Sequence, residues 1–541
     1  MNNKDIARKF DLLAKLMELH DENPFKIRSY ANAYISLRKL EDPLSDMDEA
    51  TISTIPGIGS AITGKITELI MTGTMSALTK VQSVTPEGVQ QLLNIRGLGS
   101  KKVAQMWREM EIASPGDLLY ACNENRLVKY KGFGLKSQEE IKSKVEYYLE
   151  SQGWYLYAAL DPIAEQLIGK LKAFDPNEIY ELSGAIRRRM PELEAIEILS
   201  THELTEIWAN KVGIIKDETG KWVYEGCPIV WKKAERAAFY NTWYKDSAGE
   251  AFLDKYGVIH ITAESEKAIF DSQDLPYIVP ELREWNRSSD WYQKTMTGLV
   301  TVEDIKGIVH NHSTYSDGLH TLQDMSDYVK SSGFDYFVIS DHSKTASYAG
   351  GLKEQQVIAQ WKEIDALNRG YDDEFKVYKS IESDILNDGS LDYEEDILRG
   401  FDLVIASVHS VLNMDAERAT TRLIKAIEHP QTRILGHPTG RLLLSRMGYP
   451  LDYDKIIDAC AANHVVIELN ANPQRLDIDW KYIPHAIEKG VMIAINPDAH
   501  SKASIHYIKY GVAAARKGGL TSEWCLNAKS RSEFDQWLAS K

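Results

Sequence analysis

Four cysteines in 541 residues, at positions 122, 227, 460 and 525, form no CxxC pair, which excludes a disulfide framework and a cysteine-rich zinc site. No run approaches the roughly 20 apolar residues that a bilayer span needs. The opening MNNKDIARKF lacks the apolar core of a secretory signal. A reducing, cytoplasmic location with no membrane partner is therefore expected. Excess positive charge is missing as well. The 63 Lys and Arg against 79 Asp and Glu give a net charge of −16, the wrong sign for a protein that coats nucleic acid through bulk charge. The imbalance is local: residues 1–150 hold 20 basic and 20 acidic side chains, so the remainder carries all of it. Any nucleic-acid contact is expected at the N-terminal end, and an acidic remainder suits metal cations. What is present is ordinary soluble composition, 43% hydrophobic and 26% charged, in a chain long enough for three or four domains at roughly 150 residues each.

The first 150 residues read as helical. Ile6, Phe10, Leu13, Leu16 and Met17 recur at the spacing of one buried helix face. Three segments then share one format: Ile55-Pro56-Gly57-Ile58-Gly59-Ser60, Ile95-Arg96-Gly97-Leu98-Gly99-Ser100 and Tyr130-Lys131-Gly132-Phe133-Gly134-Leu135. Paired glycines permit a tight turn, and the turn leaves free N–H groups at the start of the next helix, where a phosphate fits. One such turn is explained by packing alone. Three, with Lys65, Lys101 and Lys102 nearby, read as helix-hairpin-helix modules that bind the DNA backbone without reading sequence.

Asn23-Pro24-Phe25-Lys26-Ile27-Arg28-Ser29-Tyr30 with the first hairpin resembles the N-terminal domain of family X DNA polymerases. In some members a lysine after that hairpin forms a Schiff base with an abasic sugar. Lys65 stands at the matching place, where phosphate contact is the simpler role. The resemblance continues more faintly through residues 151–290. Ser183-Gly184-Ala185-Ile186-Arg187-Arg188 is similar to the segment that holds the incoming triphosphate. Three aspartates of the family's palm hold two Mg²⁺ for nucleotidyl transfer. Their places fall here on Ala195, Glu197 and Pro228, two of which have no ligand atom. Under a shifted register Glu192 and Glu194 form the pair, but the third acid is still absent. A folded palm without polymerase activity is expected, and Pro228 suggests that its strand lies at a sheet edge.

From residue 305 short apolar runs alternate with helical patterns, the sign of parallel strands joined by crossover helices. Seven runs, at 307–310, 335–340, 377–384, 403–408, 433–436, 465–470 and 492–496, suggest a barrel with its chemistry at the C-terminal strand ends. His310, His312 and Asp317 follow the first run, and Asp341-His342 the second. Glu382, His409, His437 and then Asp498 with His500 follow in order, so six of the 14 histidines trail strand runs. Imidazole and carboxylate ligands suit Zn²⁺, Mn²⁺ or Fe. A lone histidine of this kind is usually structural; six in order point to a polynuclear metal site.

That order resembles the PHP (polymerase and histidinol phosphatase) family, most closely the PHP domain attached to bacterial and archaeal family X polymerases. Asp388-Gly389-Ser390-Leu391-Asp392-Tyr393 and Glu468-Leu469-Asn470-Ala471-Asn472-Pro473 support it. The resemblance implies three divalent metals and no organic cofactor. His310, His312, Glu382 and Asp498 would hold the first. Glu382, as a bridge, would hold the second with His409 and His437. Asp317, His342 and His500 would hold the third. Asp317 and His342 are also expected among the catalytic residues, and Arg441 and Arg475 are candidate phosphate clamps. Asn496-Pro497 before Asp498 departs from the family's usual residues but removes no ligand.

The expected fold is thus multidomain: an all-α helix-hairpin-helix region, an α+β polymerase-like palm and thumb, and a C-terminal distorted (β/α)7 PHP barrel. The expected boundaries are 1–85 and 86–150 for the helical part, 151–285 for the palm and thumb, 286–304 for a linker and 305–541 for the barrel. The expected function is metal-dependent phosphodiester hydrolysis, as a 3′–5′ exonuclease of DNA repair acting on gapped or 3′-ended DNA. The alternatives are a phosphatase or phosphodiesterase for a small phosphate ester, a DNA-binding protein with structural metals, and a weak residual polymerase. Protein partners are not indicated.

Overall fold

The computed structural model describes residues 3–38, 40, 42–95, 97–150, 153–259, 261–371, 373 and 375–540; Arg96, inside the second hairpin, lies outside them. The chain divides into two compact units, residues 1–123 with 127–149, and residues 124–126 with 150–541.

The first unit is helical. Helix Asn3–Leu19 buries Ile6, Phe10, Leu13, Leu16 and Met17, the stripe that their spacing predicts. The three hairpins close by one repeated bond, from Ile58 N to Ile55 O (2.9 Å), Leu98 N to Ile95 O (3.1 Å) and Phe133 N to Tyr130 O (3.1 Å). The first glycine of each pair has φ of 86°, 86° and 97°, the left-handed value that the third residue of such a turn needs and that a side chain resists. Ile58, Leu98 and Phe133 then turn inward and are buried, anchoring each turn.

In the second unit the chain forms β1 (Tyr155–Leu156), β2 (Tyr180–Leu182), β3 (Glu192–Leu193), β4 (Ile196–Ser200), β5 (Ile215–Lys216), β6 (Trp222–Tyr224) and β7 (Cys227–Lys233). β1 and β3 make a two-residue antiparallel ladder, and the others a sheet in the order β2-β4-β7-β6-β5. Helix Tyr157–Phe174 lays Leu160, Ala164, Leu167 and Leu171 against Tyr180, Ile196 and Ile198. β7 is not the edge strand that Pro228 suggested: it runs between β4 and β6. Pro228 sits opposite Val223, one step past the Tyr224–Cys227 pair that closes a two-residue turn, and pairing with β4 begins only at Ile229. Its missing N–H therefore interrupts neither ladder.

Residues 286–304, expected as a linker, carry helix Ser289–Thr297, capped by Ser288. Tyr292 of this helix is buried with Tyr244, Phe252 and Phe270. The polar composition of the segment hides this aromatic anchor, beside which Trp291, Met296 and Leu299 join the same cluster.

The barrel strands are β8 (Gly307–Ile308), β9 (Tyr336–Ile339), β10 (Lys376–Asp384), β11 (Leu403–Ser407), β12 (Thr432–Leu435), β13 (Val466–Asn470) and β14 (Ile493–Asn496), all parallel and in sequential order. A parallel bridge joins Asn311 to Ala499, with His312 N donating to Ala499 O at 2.9 Å, so the first and last strands meet at their C-terminal ends. The two-residue repeat of a strand sorts the side chains. Tyr336 and Val338, Leu403 and Ile405, Ile434, Val466 and Ala494 gather in one cluster, while Phe337, Ile339, Val404, Ala406, Leu435 and Ile467 pack into another beneath the helices. Phe534, on helix Arg531–Ala539, belongs to the first cluster and stacks on Tyr336 at 4.4 Å. Gly307 makes room for this ring, since a Cβ there would lie 2.0 Å from it. On the same strand faces, toward the C-terminal ends, the residues turn polar: Glu382 and Asp384, then Glu468 and Asn470, then Asn496. Among the described residues no helix is long and apolar enough to cross a membrane.

Candidate metal centre

Parallel strands deliver their C-terminal ends to one side, and the nine barrel residues singled out from the sequence meet there. Glu382, near the end of β10, is the hub. Its carboxylate lies 3.2 Å from His310 Nε2, 2.8 Å from His342 Nδ1, 3.0 Å from His409 Nε2 and 2.9 Å from His437 Nε2. Asp498 Oδ1 stands 3.0 Å from His312 Nε2 and 3.7 Å from His310 Nε2. Asp317 lies 3.3 Å from His500 Nε2 and 3.6 Å from His342 Nε2. All nine side chains are buried or nearly so. His310 and Asp498 hold left-handed backbone, φ 64° and 49°, strain of the kind that collects at functional sites.

Four overlapping groups each place their ligand atoms within 4.8 Å of one another: His312, Asp317, His342 and His500; His310, His437 and Asp498; His310, His312 and Glu382; and His342, Glu382 and His409. Several of the inward atoms make no hydrogen bond although they are buried, among them His310 Nε2, His312 Nδ1, Asp317 Oδ2, Glu382 Oε2 and His500 Nε2. Buried polar atoms are rarely left so, and each costs about 1–3 kcal/mol unless something else takes its lone pair. Divalent cations fit this donor set.

The protonation pattern fits as well. Burial raises the Glu382 carboxyl, but the imidazoles of His409, His310 and His342 outweigh it and hold the group well below its ordinary value. Asp317 is held down in the same way by His342 and His500, and Asp498 by His310 and His312. Burial with the His500 and His342 rings takes His312 down to about 3, whereas Asp317 and Glu382 lift His342, against burial, to about 10. The carboxylates are thus held ionised while His342 retains a proton, and a cation that takes the nitrogen lone pair displaces it.

Three further carboxylates brace the cluster: Asp341, noted in the sequence beside His342, and Asp384 and Glu468, which were not singled out. Asp384 accepts from His409 Nδ1 at 2.5 Å and from Thr345 Oγ1 at 2.8 Å. Asp341 accepts from Ser313 N, Ser313 Oγ and Gln360 Nε2, fixing the loop after His312. Glu468 accepts from His310 Nδ1 at 2.6 Å. Inward alternation along β10 and β13 was the signal available for Asp384 and Glu468.

The two candidate clamps part company. Arg475 is buried, its Nε 4.0 Å from Asp498 Oδ2. The Arg441 guanidinium is engaged by Asp479 and the carbonyls of Arg475 and Leu476. Lys344, just past His342, pairs with Glu354 at 2.9 Å.

The palm sheet gathers charge differently. Ala195 is buried, and Glu197 pairs in register with Val230, two residues past Pro228. Glu197 accepts from Ala185 N at 2.8 Å and lies 3.3 Å from Lys232 Nζ, which also meets Asp246 at 3.0 Å. Glu192 accepts from Leu444 N at 3.0 Å, and Glu194 is exposed. Among the described residues no ligand group of the barrel's kind occurs in this sheet. Arg187 stacks on Trp243, 3.4 Å from the ring centroid, and donates twice to Glu266; Arg188 donates to Glu284 at 2.7 Å.

In the helical unit the hairpin glycines 57, 59, 97, 99, 132 and 134 are exposed, as are Lys101 and Lys102. A Cβ added at Gly59, Gly99 or Gly134 would meet nothing within 4 Å, so each turn faces open space, although at the third the Gly134 N–H is taken by Ser137 Oγ at 2.9 Å. Lys65 Nζ donates to Ala61 O at 3.2 Å and sits 5.7 Å from the Tyr30 ring centroid.

Comparison with known proteins adds four findings. A helix-hairpin-helix domain model matches residues 1–75. The DNA polymerase/3′-5′ exonuclease PolX of Bacillus subtilis (strain 168) is 32% identical over 572 aligned positions, covering 99% of each chain. A probable phosphatase of Thermoanaerobacter sp. (strain X514) is 30% identical over 162 residues, 28% of this chain and 64% of that one, and DNA polymerase lambda of Rattus norvegicus is 24% identical over 200 residues, 37% and 32%.

Proposed function

Because the chain belongs to the PolX family, we propose that its barrel hydrolyses phosphodiester bonds at 3′ ends of DNA, as a 3′–5′ exonuclease of DNA repair. The observation that carries this reading is the convergence of nine ligand-type side chains, several of whose buried inward atoms lack hydrogen-bond partners. Three divalent cations, Mn²⁺, Zn²⁺ or Fe, are the proposed occupants: one on His310, His312, Glu382 and Asp498, one on Glu382, His409 and His437, and one on Asp317, His342 and His500. When bound, such cations supply Lewis acidity, which neutralises phosphate charge and acidifies water.

The protein's own part is orientation. Asp384 holds the His409 ring, and Asp341 holds the loop that carries Asp317. Arg475 is proposed to meet the phosphate, and Arg441 supports it by binding its carbonyl. The helix-hairpin-helix match and the family membership support DNA binding. The glycine turns, with Lys65, Lys101 and Lys102, are proposed to hold the backbone of gapped or 3′-ended DNA. No nucleotidyl transfer is assigned to the palm: Ala195 and Pro228 offer no ligand, Glu197 is taken by a helix start and an ammonium, and both candidate triphosphate arginines are neutralised by Glu266 and Glu284.

The test is purified protein with Mn²⁺ on 3′-labelled single-stranded DNA, on primer–template with dNTPs and on p-nitrophenyl phosphate. Release of nucleotides that disappears in His342→Ala, with no extension, is expected. Template-directed extension that survives loss of His310 and His312 would refute the division of labour. A second reading, hydrolysis of a small phosphate ester, is favoured by the similarity to the probable phosphatase. Turnover of p-nitrophenyl phosphate far faster than of DNA would select it.

A further inference from the structure

Glu468 lies inside the barrel on β13, fully buried, on the strand face that also carries Val466 and Asn470. Four hydrogen bonds surround its two oxygens. Oε2 accepts from His310 Nδ1 at 2.6 Å and from Asn496 Nδ2 at 2.8 Å. Oε1 accepts from the backbone N of His437 at 3.1 Å and from Asn470 Nδ2 at 3.0 Å. The donors come from the ends of four different strands: β8, β12, β13 and β14. Only an ionised carboxylate offers acceptor sites for four donors.

We propose that Glu468 is the positioning residue of the metal centre: by fixing the proton of His310 on Nδ1, it presents the Nε2 lone pair to a cation, and by holding His437 N and Asn496 it sets the spacing of the flanking ligands. This rests on the reading of the barrel as a metal centre but not on any particular substrate. A carboxylate cannot donate, so the bond to Nδ1 requires the proton there, and Nε2 is left as the ligand atom facing Glu382 and Asp498 at 3.2 and 3.7 Å. Asn470 couples the same support to the other side of the site, since its Nδ2 also donates to Asp498 Oδ2 at 3.0 Å. A glutamine at 468 keeps the shape but brings an NH₂ among four donors. The local remedy is for His310 to accept at Nδ1 and carry its proton on Nε2, which removes the ligand.

The full chain, stripped of metal with a chelator and dialysed, is titrated with Mn²⁺ and the free ion counted by electron paramagnetic resonance. Glu468→Gln is expected to weaken at least one Mn²⁺ site by about 10–100-fold relative to wild type. In a His310→Ala background the same substitution is expected to change that site's affinity less than threefold, because the residue acts through the ring. A purely scaffolding role predicts a lower urea midpoint of the metal-free protein with Mn²⁺ affinity unchanged, and that result overturns the proposal. If Glu468→Gln does not fold, Glu468→Asp, which keeps the charge and withdraws the oxygens by one methylene, carries the test. A tenfold loss supports the proposal and unchanged affinity overturns it. Wild type that binds no Mn²⁺ would instead refute the metal centre itself.

Discussion

Glu266→Gln is the sharpest test of how the palm has been rewired. Glu266 is 3% exposed and accepts from Arg187 through both oxygens at 2.8 and 2.7 Å, from the fully buried Arg283 at 2.7 Å and from Tyr277 Oη at 3.0 Å. Burial pushes its carboxyl up, but the two guanidiniums overcome this and bring it from 4.5 down to about 2. A difference of about 2.5 units at 1.36 kcal/mol each is worth about 3 kcal/mol. Removing one partner of a buried ion pair costs about 3–5 kcal/mol by an independent route, so the two agree. The sign is that of a depressed acid: the stabilisation is complete above pH 4.5 and is lost as pH falls toward 2. Wild type should therefore exceed Glu266→Gln by about 3 kcal/mol at pH 7, and the gap should shrink by about 1 kcal/mol at pH 4 and about 2 kcal/mol at pH 3. Urea unfolding of the full chain, followed by tryptophan fluorescence, reads this difference; Trp243, which lies under Arg187, is one of the twelve tryptophans that contribute to the signal. A gap below 1 kcal/mol at pH 7, or one that does not change between pH 7 and pH 3, refutes the reasoning.

Other outcomes follow from the same structure. Gly57→Ala, at φ 86°, should cost about 1–2 kcal/mol of local stability and weaken DNA binding equally across sequences, measured by fluorescence anisotropy on unrelated duplexes. Lys102→Ala should lower the slope of log affinity against log salt by about 1 while leaving barrel activity on p-nitrophenyl phosphate unchanged. Phe534→Ala opens the apolar end of the barrel and should cost about 3–5 kcal/mol in urea unfolding. Chelation should abolish hydrolysis but not DNA binding, and added Mn²⁺ should restore it; hydrolysis that persists after chelation contradicts the metal reading.

The seven apolar runs, the paired glycines and the ordered histidines were legible in the linear chain because each depends on local chemistry: strand periodicity, positive φ, ligand type. The strand-end acids and histidines stood out because parallel strands deliver their C-terminal ends to one side whatever lies between them, and the likeness to the PHP family singled out nine of them as ligands. Contacts between distant segments could not be read this way. Pro228 looked like an edge marker, and only the hairpin geometry on one flank and the late start of pairing on the other explain how it sits mid-sheet. The supposed linker folds because Tyr292 finds Phe252 and Phe270, from helices well separated from it in sequence. Lys517, from the barrel's last long helix, donates to Arg188 O at 2.8 Å, a palm contact across more than 300 residues that no periodicity announces. Glu468 and Asp384 carried a faint sign in their inward register, yet most of their partners come from other strands and loops. Side-chain type and spacing are properties of the chain. Which donor meets which carboxylate depends on how the strands and helices assemble, because only assembly brings residues far apart in sequence within 3 Å.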